Sequence, residues 1–442
     1  MNADVSIIGL GRVGLPLALS FADRGLRVLG VDRDLDRLEA VRSAQMPFDE
    51  PGTQELLERV IATGRLELTD RVTAAAGAQD IILTLGTPSF SHIEIDMRDI
   101  RTVLDGLLPV LAPGHAIILR STVGPGTTEF VAGYIEQRRG LRAGEDVFVV
   151  HCPERIAGRR FLEEIDTLPC IVGGVDSQST ERAAELFSVF NAPILRTTAV
   201  MAELAKIWSN ILRYAHFALP NLLMMDCEKY GANVFDVIDL INREYPRGGM
   251  ASPGLTGGTC LRKDFTFSEE RSHAPGMLLA VSRVNESVPL FLVEGAKSRL
   301  GSLAGRKVAV LGLGYKRDSD DERDSLSHKL VRMLERELAE VRVCDPHAHS
   351  MTQPLDETVR DAEVIMIATN HSVFETPEAR ELIFGSSAPG CLIVDPWNSL
   401  GMAKVFASTR DTPLTDSRRS RASGRRPLGV AASLSPESGL RR

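Results

Sequence analysis

No apolar run in this 442-residue sequence approaches the roughly 18 residues of a membrane-spanning helix, so no segment is expected to cross a bilayer. The opening residues, Met1-Asn2-Ala3-Asp4-Val5, lack the basic start and apolar core of a secretory signal. The six cysteines, at 152, 170, 227, 260, 344 and 391, are scattered, and none forms a CxxC pair. Free thiols in a reducing cytoplasm fit this better than a disulfide framework. An excess of basic charge is also missing. A net charge of -8 argues against a nucleic-acid binder, although a local cluster of cations can still hold phosphates. What is there, 43% hydrophobic and 25% charged residues, is ordinary for a globular chain with room for two or three domains.

The first third alternates short apolar runs with helical patterns. Strands are expected over residues 5–10, 27–31, 80–85, 115–120, 146–150 and 170–172. Strands alternating with helices build a parallel sheet covered on both faces. From 199 to 242 the pattern changes. Ala202, Leu204, Ala205, Ile207, Ile211, Leu212, Ala215, Leu219, Leu222 and Leu223 recur at helical spacing, and a second helical stretch covers 276–300. Pro220 is placed to kink or divide the first of these. At Lys307 a second strand–turn–helix begins, with further strands expected over 340–344, 362–367 and 391–394. The fold class is therefore α/β, with two doubly wound, Rossmann-like domains joined by a central all-helical domain. The expected division is 1–198 for the cofactor domain, 199–302 for the helical domain with its long helix as a dimer contact, and 303–409 for the second sheet. An Arg- and Ser-rich tail, 410–442, carries eight arginines against three acids and is expected to be disordered.

Gly9-Leu10-Gly11-Arg12-Val13-Gly14 follows the first strand and opens a helix, and Asp32 closes the second strand eighteen residues after Gly14. The glycines allow a tight turn and close approach of a pyrophosphate to the helix N-terminus, and the acid accepts from ribose hydroxyls, which favours NAD. Arg33, next to it, is a residue type that can welcome a 2′-phosphate. In the second sheet, Gly312-Leu313-Gly314 lacks the third glycine, since position 317 is Arg. That turn is not expected to bind a second NAD. Its crevice, with Lys316, Arg317 and Arg323 nearby, suits a nucleotide diphosphate, unless these charges are a solvated run. His347-Ala348-His349 has metal-like spacing, but no second pair accompanies it and no metal is expected.

The densest chemistry lies in Gly257-Gly258-Thr259-Cys260-Leu261-Arg262-Lys263-Asp264. Glycines flank Cys260 and a cation follows it, which should lower its pKa and expose a thiolate. A thiol beside a nicotinamide points to oxidation of an aldehyde held on sulfur. The plain alternative is a small buried hydrophobe. Cys152, before Pro153-Glu154 at a strand end, is the rival nucleophile, and the other four read as core. Lys206 and Asn210, four apart, share a helix face and suit an oxyanion, or else a solvated surface.

Together these residues resemble the UDP-glucose/GDP-mannose dehydrogenase family of nucleotide-sugar 6-dehydrogenases over roughly residues 1–400. The resemblance runs in order through Gly9, Gly11, Gly14 and Asp32; Gly86-Thr87-Pro88; Ser121-Thr122-Val123-Gly124-Pro125-Gly126-Thr127-Thr128; Pro153-Glu154-Arg155; the helix from Ala202-Glu203 to Lys206 and Asn210; the Cys260 loop; and Lys316 to Arg323. It implies NAD as cofactor, held by Gly9, Gly11, Arg12, Val13, Gly14, Asp32, Gly86, Thr87 and Thr122. It implies a four-electron oxidation of a sugar C6 alcohol to the uronate through a thiohemiacetal and a thioester on Cys260. Lys206 and Asn210 would hold oxyanions, while Glu154, Asp264 and Thr122 position water and move protons. Arg155, Lys206, Asn210, Gly257, Tyr315, Lys316 and Arg323 would contact a UDP-sugar, and Arg247 resembles a residue reaching the neighbouring subunit's sugar in a homodimer. Cys152-Pro153-Glu154-Arg155 and Asn370-His371-Ser372-Val373-Phe374 look like the branch acting on UDP-N-acetylhexosamines, whereas Lys263-Asp264 looks like the glucose and mannose branch. The reading leans to UDP-N-acetylmannosamine or UDP-N-acetylglucosamine, as precursor for a cell-surface polysaccharide, over UDP-glucose and GDP-mannose. A two-electron hydroxyacid dehydrogenase would not need Cys260, and an inactive NAD-binding regulator would not keep Cys260, Lys206 and Asp264.

Overall fold

The computed structural model describes residues 3–87, 97–269, 276–348, 350 and 352–411. The chain forms two compact units. The first holds the chain up to Ala215 together with Gly257–Arg283 and Ser319–Ser325, and the second holds His216–Thr256, Val284–Asp318 and the chain from Leu326.

In the first unit eight strands form one sheet: β1 Val5–Ile8, β2 Val28–Val31, β3 Leu66–Thr69, β4 Asp80–Leu83, β5 Ala116–Leu119, β6 Phe148–His151, β7 Cys170–Gly174 and β8 Ile194–Thr198. Their order is β3-β2-β1-β4-β5-β6-β7-β8, and only the β6–β7 pair is antiparallel. The inner strands read as continuous apolar runs because helices cover both faces. Along β1 successive side chains serve opposite cores: Val5 and Ile7 pack with Leu15, Leu19 and Phe21, while Ile8 packs with Leu29, Ile81 and Leu104. The strand order reverses beside β1, so the crevice at the carboxyl ends of β1 and β4 is the expected ligand seat.

The second unit carries a five-stranded sheet of β9 Lys307–Leu311, β10 Glu340–Cys344, β11 Val364–Ile367, β12 Leu392–Val394 and β13 Phe406–Ser408, ordered β10-β9-β11-β12-β13. Only β12–β13 is antiparallel. Both sheets are Rossmann-type, and the stretch between them is helical among its described residues.

Three strands were not foreseen. β3 and β8 are sheet edges whose residues are largely half-exposed or exposed, and β13 is three residues long, so none offers an apolar run to read. The first strand stops at Ile8 rather than residue 10 because Gly9 turns the chain with φ +98°. The Ala199–Tyr230 helix continues unbroken through Pro220. This helix serves two cores. Ile207, Ile211 and Tyr214 pack with Phe265, Phe267 and Leu278 in the first unit, while Met224 and Cys227 pack with Val288 and Leu292 in the second. The tail beyond residue 411, Pro88 and His349 lie outside the described residues.

Candidate active site

The turn after β1 is shaped by contact. A Cβ on Gly14 would lie 1.8 Å from the Gly9 carbonyl oxygen and 2.4 Å from Thr84 Oγ1, so only glycine lets the Gly14–Asp23 helix start against the turn. A Cβ on Gly11 would meet nothing within 4 Å, which leaves its backbone open to a ligand. Asp32, buried at the end of β2, braces this turn. Its Oδ2 accepts from the Leu10 N–H at 2.6 Å and from Arg37 Nη1 at 2.9 Å, and Oδ1 accepts from the Asp34 N–H at 3.0 Å. An open backbone cradle beside a fixed carboxylate fits a dinucleotide.

Arg33 points outward, 86% exposed, toward Asp99, as the alternation of side chains along a strand leads one to expect, and the cation paired with Asp32 is Arg37, in the first turn of the Leu35–Arg42 helix. Arg12, expected at the cofactor, gives its guanidinium to Asp320 in two hydrogen bonds of 2.8 and 3.0 Å and approaches Asp321. Val13 caps the Gly14–Asp23 helix. We expect NAD to be preferred over NADP at least ~tenfold in kcat/KM, ~1.4 kcal/mol of differential transition-state binding, with Asp32→Ala narrowing the gap by weakening NAD. Steady-state kinetics with both cofactors check this. Equal use by the unsubstituted enzyme would mean that Arg37, not Asp32, governs the ribose pocket.

The loops after β4 and β5 meet the Cys260 segment inside the first unit. Thr87 Oγ1, next to Gly86, donates to the Thr122 carbonyl at 2.9 Å and receives Lys263 Nζ at 3.2 Å. Lys263 is buried and also donates to Asp264 Oδ1 at 2.7 Å, while Asn210 Nδ2 donates to Asp264 Oδ2 at 2.6 Å. Asp264 is wholly buried and so aims both groups. Asn210 Nδ2 makes no second hydrogen bond among the described residues. Lys206, one turn before Asn210 and half-buried, makes no hydrogen bond or ion pair among the described residues. The helix has three faces here: Ile207 and Ile211 in the core, Lys206 and Asn210 on another, and Leu204 with Trp208 exposed.

Cys260 is not in an extended loop. It is the second residue of the short Thr259–Asp264 helix, entered from Gly257 and from Gly258, whose φ is +92°; Asp264 follows it by one turn. Cys260 is exposed, yet the protein packed around its sulfur pushes the thiol pKa up, and Asp264 adds to the rise. Lys206, Lys263 and Arg323 offset only part of this. The expected lowering by a neighbouring cation is thus overturned, because desolvation and a carboxylate outweigh the cations. The resting group is the thiol.

Glu154 Oε2 takes Arg120 Nη2 at 2.6 Å and Oε1 takes the Ile156 N–H at 2.7 Å. Arg120 is buried on β5's exit and Nη1 also donates to the Cys152 carbonyl at 3.1 Å. Burial opposes its charge, but Glu154 and the two nearby thiols hold it firmly protonated. Cys152 is fully buried beside this arginine, a packed position rather than an accessible nucleophile. Arg155, expected at substrate, donates to the Pro169 carbonyl at 2.7 Å. Arg120 and Glu203 were not singled out in advance. Glu203, wholly buried, accepts from the N–H groups of Gly126 and Thr128 and from Thr128 Oγ1, satisfying the start of the Thr127–Arg139 helix. Burial pushes its carboxyl up and these hydrogen bonds pull it back.

In the second unit the crevice at β9 repeats the first. A Cβ on Gly312 would strike Thr369 at 2.5 Å, and Asp345 at the end of β10 accepts from the N–H groups of Leu313 (2.5 Å) and Gly314 (2.9 Å), as Asp32 does for Leu10. His371 Nε2 lies 3.0 Å from Asp345, and its Nδ1 accepts from the Asp318 N–H at 2.8 Å. Burial would raise Asp345, but His371 and the two amides hold its carboxyl well below the usual range. His347 stands with Asp318 and His371 in a group whose ligand atoms lie within 4.8 Å of one another. With both nitrogens of His371 already engaged, this group is a hydrogen-bonded brace rather than a ligand set. Tyr315 and Lys316 follow the turn, half-buried. Arg317 pairs with Glu375 at 2.6 Å, and Arg323, expected beside it, falls in the first unit and pairs with Asp321 at 2.7 Å. Arg247 is exposed and stacks on Tyr245 at 4.6 Å.

Residues 3–191 match the NAD binding domain of the UDP-glucose/GDP-mannose dehydrogenase family, 200–287 its central domain and 309–401 its UDP binding domain. The UDP-N-acetyl-D-mannosamine dehydrogenase of Pyrococcus horikoshii is 33% identical over 407 residues, covering 89% of this chain and 95% of that protein. Its solved structure gives a TM-score of 0.83 at 32% identity over 88% of this chain and 94% of that one. The native structure of the UDP-N-acetyl-mannosamine dehydrogenase from Staphylococcus aureus gives 0.81 at 31% identity, over 89% and 94%. With the cradle at β1, the Cys260–Asp264–Asn210 cluster and the second crevice in place, the chain belongs to the UDP-glucose/GDP-mannose dehydrogenase family.

Proposed function

We propose that the protein oxidises the C6 alcohol of a UDP-N-acetylhexosamine, UDP-N-acetylmannosamine before UDP-N-acetylglucosamine, to the uronate, for a cell-surface polysaccharide. At the level of its family it is an NAD-dependent nucleotide-sugar dehydrogenase with a UDP-binding domain. The finer sugar assignment is supported by relatives that carry the UDP-N-acetylmannosamine dehydrogenase name. UDP-glucose and GDP-mannose remain the alternatives. The carrying observation is the accessible Cys260 thiol within one helical turn of Asp264, which aims Asn210 and Lys263.

Bound NAD supplies the hydride acceptor in each of two oxidations. Lys206 and the second Asn210 N–H hold the oxygen as the alcohol gives up its hydride and passes its proton to a water positioned by Thr122 and Asp264, becoming an aldehyde. Cys260 sulfur adds to the carbonyl carbon and its proton ends on the oxygen, giving a thiohemiacetal. Loss of the second hydride leaves a thioester. Glu154, steadied by Arg120, and Thr122 position the water that hydrolyses it, and Cys260 leaves as the thiol. Asp264 keeps Asn210 and Lys263 in place throughout. Gly257, Tyr315, Lys316, Arg155 and Arg323 are assigned to the substrate, and Arg247 to the sugar of a neighbouring subunit.

Each sugar should yield two NADH with little free aldehyde. A panel of nucleotide sugars scored for NADH and for trapped aldehyde tests this, and one NADH per sugar with accumulating aldehyde sinks the double oxidation. The N-acetylhexosamine assignment fails if UDP-glucose turns over best.

The proposed homodimer, in the cytoplasm, is supported by Met201, Leu204, Trp208 and Leu212. These stay exposed at helical spacing along one face of the Ala199–Tyr230 helix. Trp208→Arg should shift the species seen by sedimentation equilibrium from dimer to monomer. A monomeric unsubstituted protein would overturn this.

A further inference from the structure

Two thiols that the chemistry leaves unused face each other where β6 leaves the first sheet. Cys152 follows β6 directly and Cys170 opens β7, the strand that pairs antiparallel with β6. Their sulfurs lie 3.5 Å apart. Arg120 Nη1 sits 3.3 Å from Cys152 Sγ, and the same guanidinium holds Glu154. Cys152 is fully buried, whereas Cys170 keeps partial exposure and lines a small cavity with Arg120, Pro153, Glu154 and Pro169.

We propose that Cys152 and Cys170 form a reversible disulfide, closed by a peroxide and reopened by small thiols, which switches the enzyme through Arg120 and Glu154. The two thiols are unequal in a way that suits this. The contact with Cys152 holds the Cys170 thiol down, against the effect of burial and with help from Arg120, while burial pushes Cys152 up. Cys170, the partly exposed sulfur on the cavity, is the first to react. Its thiolate attacks one peroxide oxygen and takes it as hydroxyl, giving a sulfenic acid, and the other oxygen leaves as hydroxide and becomes water. Cys152 sulfur then displaces the hydroxyl from Cys170, a second water is released and the S–S bond forms. Two thiols have given two electrons, and one peroxide has become two waters.

Closing from 3.5 Å to a bond of ~2.05 Å must move the two sulfurs, and Arg120 interacts with both of them. Arg120 also holds the Cys152 carbonyl at 3.1 Å and Glu154 at 2.6 Å, so the displacement reaches a carboxylate two residues along the chain. The reduced form is the active one.

The first test does not depend on the catalytic reading. In a Cys260→Ser variant, five of the six cysteines remain. One equivalent of hydrogen peroxide should lower the titratable thiols from five to three, and peptide mass spectrometry should show Cys152 joined to Cys170. Dithiothreitol should restore five. The second test is on activity. The unsubstituted enzyme should lose most of its activity in peroxide and regain it with dithiothreitol. Cys170→Ala should start with ordinary activity and lose it only at the slower pace of Cys260 oxidation. Five thiols after peroxide, a linked peptide elsewhere, or a Cys170→Ala enzyme inactivated as fast as the unsubstituted one would overturn the proposal. A missing 152–170 link refutes the switch alone, whereas inactivity on every nucleotide sugar refutes the functional reading alone.

Discussion

Cys260→Ser should stop acid formation, lowering kcat for the full reaction at least ~100-fold, a loss of ~2.7 kcal/mol of transition-state stabilisation. The hydroxyl is a far weaker nucleophile than sulfur toward the aldehyde. If it does add, the ester left after the second oxidation hydrolyses more slowly than a thioester. In the proposed mechanism the first hydride transfer draws on Lys206 and Asn210 but on no sulfur, so a single turnover should still yield one NADH. Cys152→Ser should keep substantial turnover, because that thiol is fully buried against Arg120. Rapid-quench product analysis of both variants decides the assignment. Ordinary turnover in Cys260→Ser, or lost chemistry in a folded Cys152→Ser protein, would reverse it.

Gly14→Ala and Gly11→Ala should separate folding from cofactor binding. A methyl on Gly14 meets backbone, the Gly9 carbonyl oxygen at 1.8 Å, so the helix must shift from the turn. Overpacking of this kind costs ~1–3 kcal/mol, and it also moves the N–H groups that face the pyrophosphate. Both the denaturant midpoint and NAD affinity should fall. Gly11 has nothing within 4 Å of its added methyl, so Gly11→Ala should leave the midpoint unchanged. NAD affinity should nevertheless drop at least ~tenfold, since that methyl occupies the space where the pyrophosphate approaches the backbone. Urea unfolding and calorimetric NAD titration read the two quantities. Full NAD affinity in Gly11→Ala would place the pyrophosphate elsewhere.

The elements most legible in the sequence were those whose information is local. The Gly9-Gly11-Gly14 spacing, the acid ending the next strand and the apolar runs of β1, β4, β5 and β9 are each set within a few residues of the chain. Edge strands β3 and β8 were not legible, because half-exposed backbone pairing leaves no apolar run behind. Asp32 stands at the end of the second strand as expected, but the cation that pairs with it was not foreseen. Arg33 follows it in sequence, yet a strand turns successive side chains to opposite sides. Arg37 returns because a helix does the opposite over one turn.

From its sequence alone, the protein's two sheets, its helical centre and its glycine turn at the first strand were determined, because each rests on neighbours along the chain. The partners that tune those groups were decided only by tertiary structure. Arg120 reaches Glu154 across 34 residues, Glu203 reaches Thr128 across 75, and Lys263 reaches Thr87 across 176. The state of Cys260 belongs with these. A cation three residues away in sequence suggested a thiolate, but desolvation depends on every atom packed around the sulfur, and in the fold it outweighs the charges.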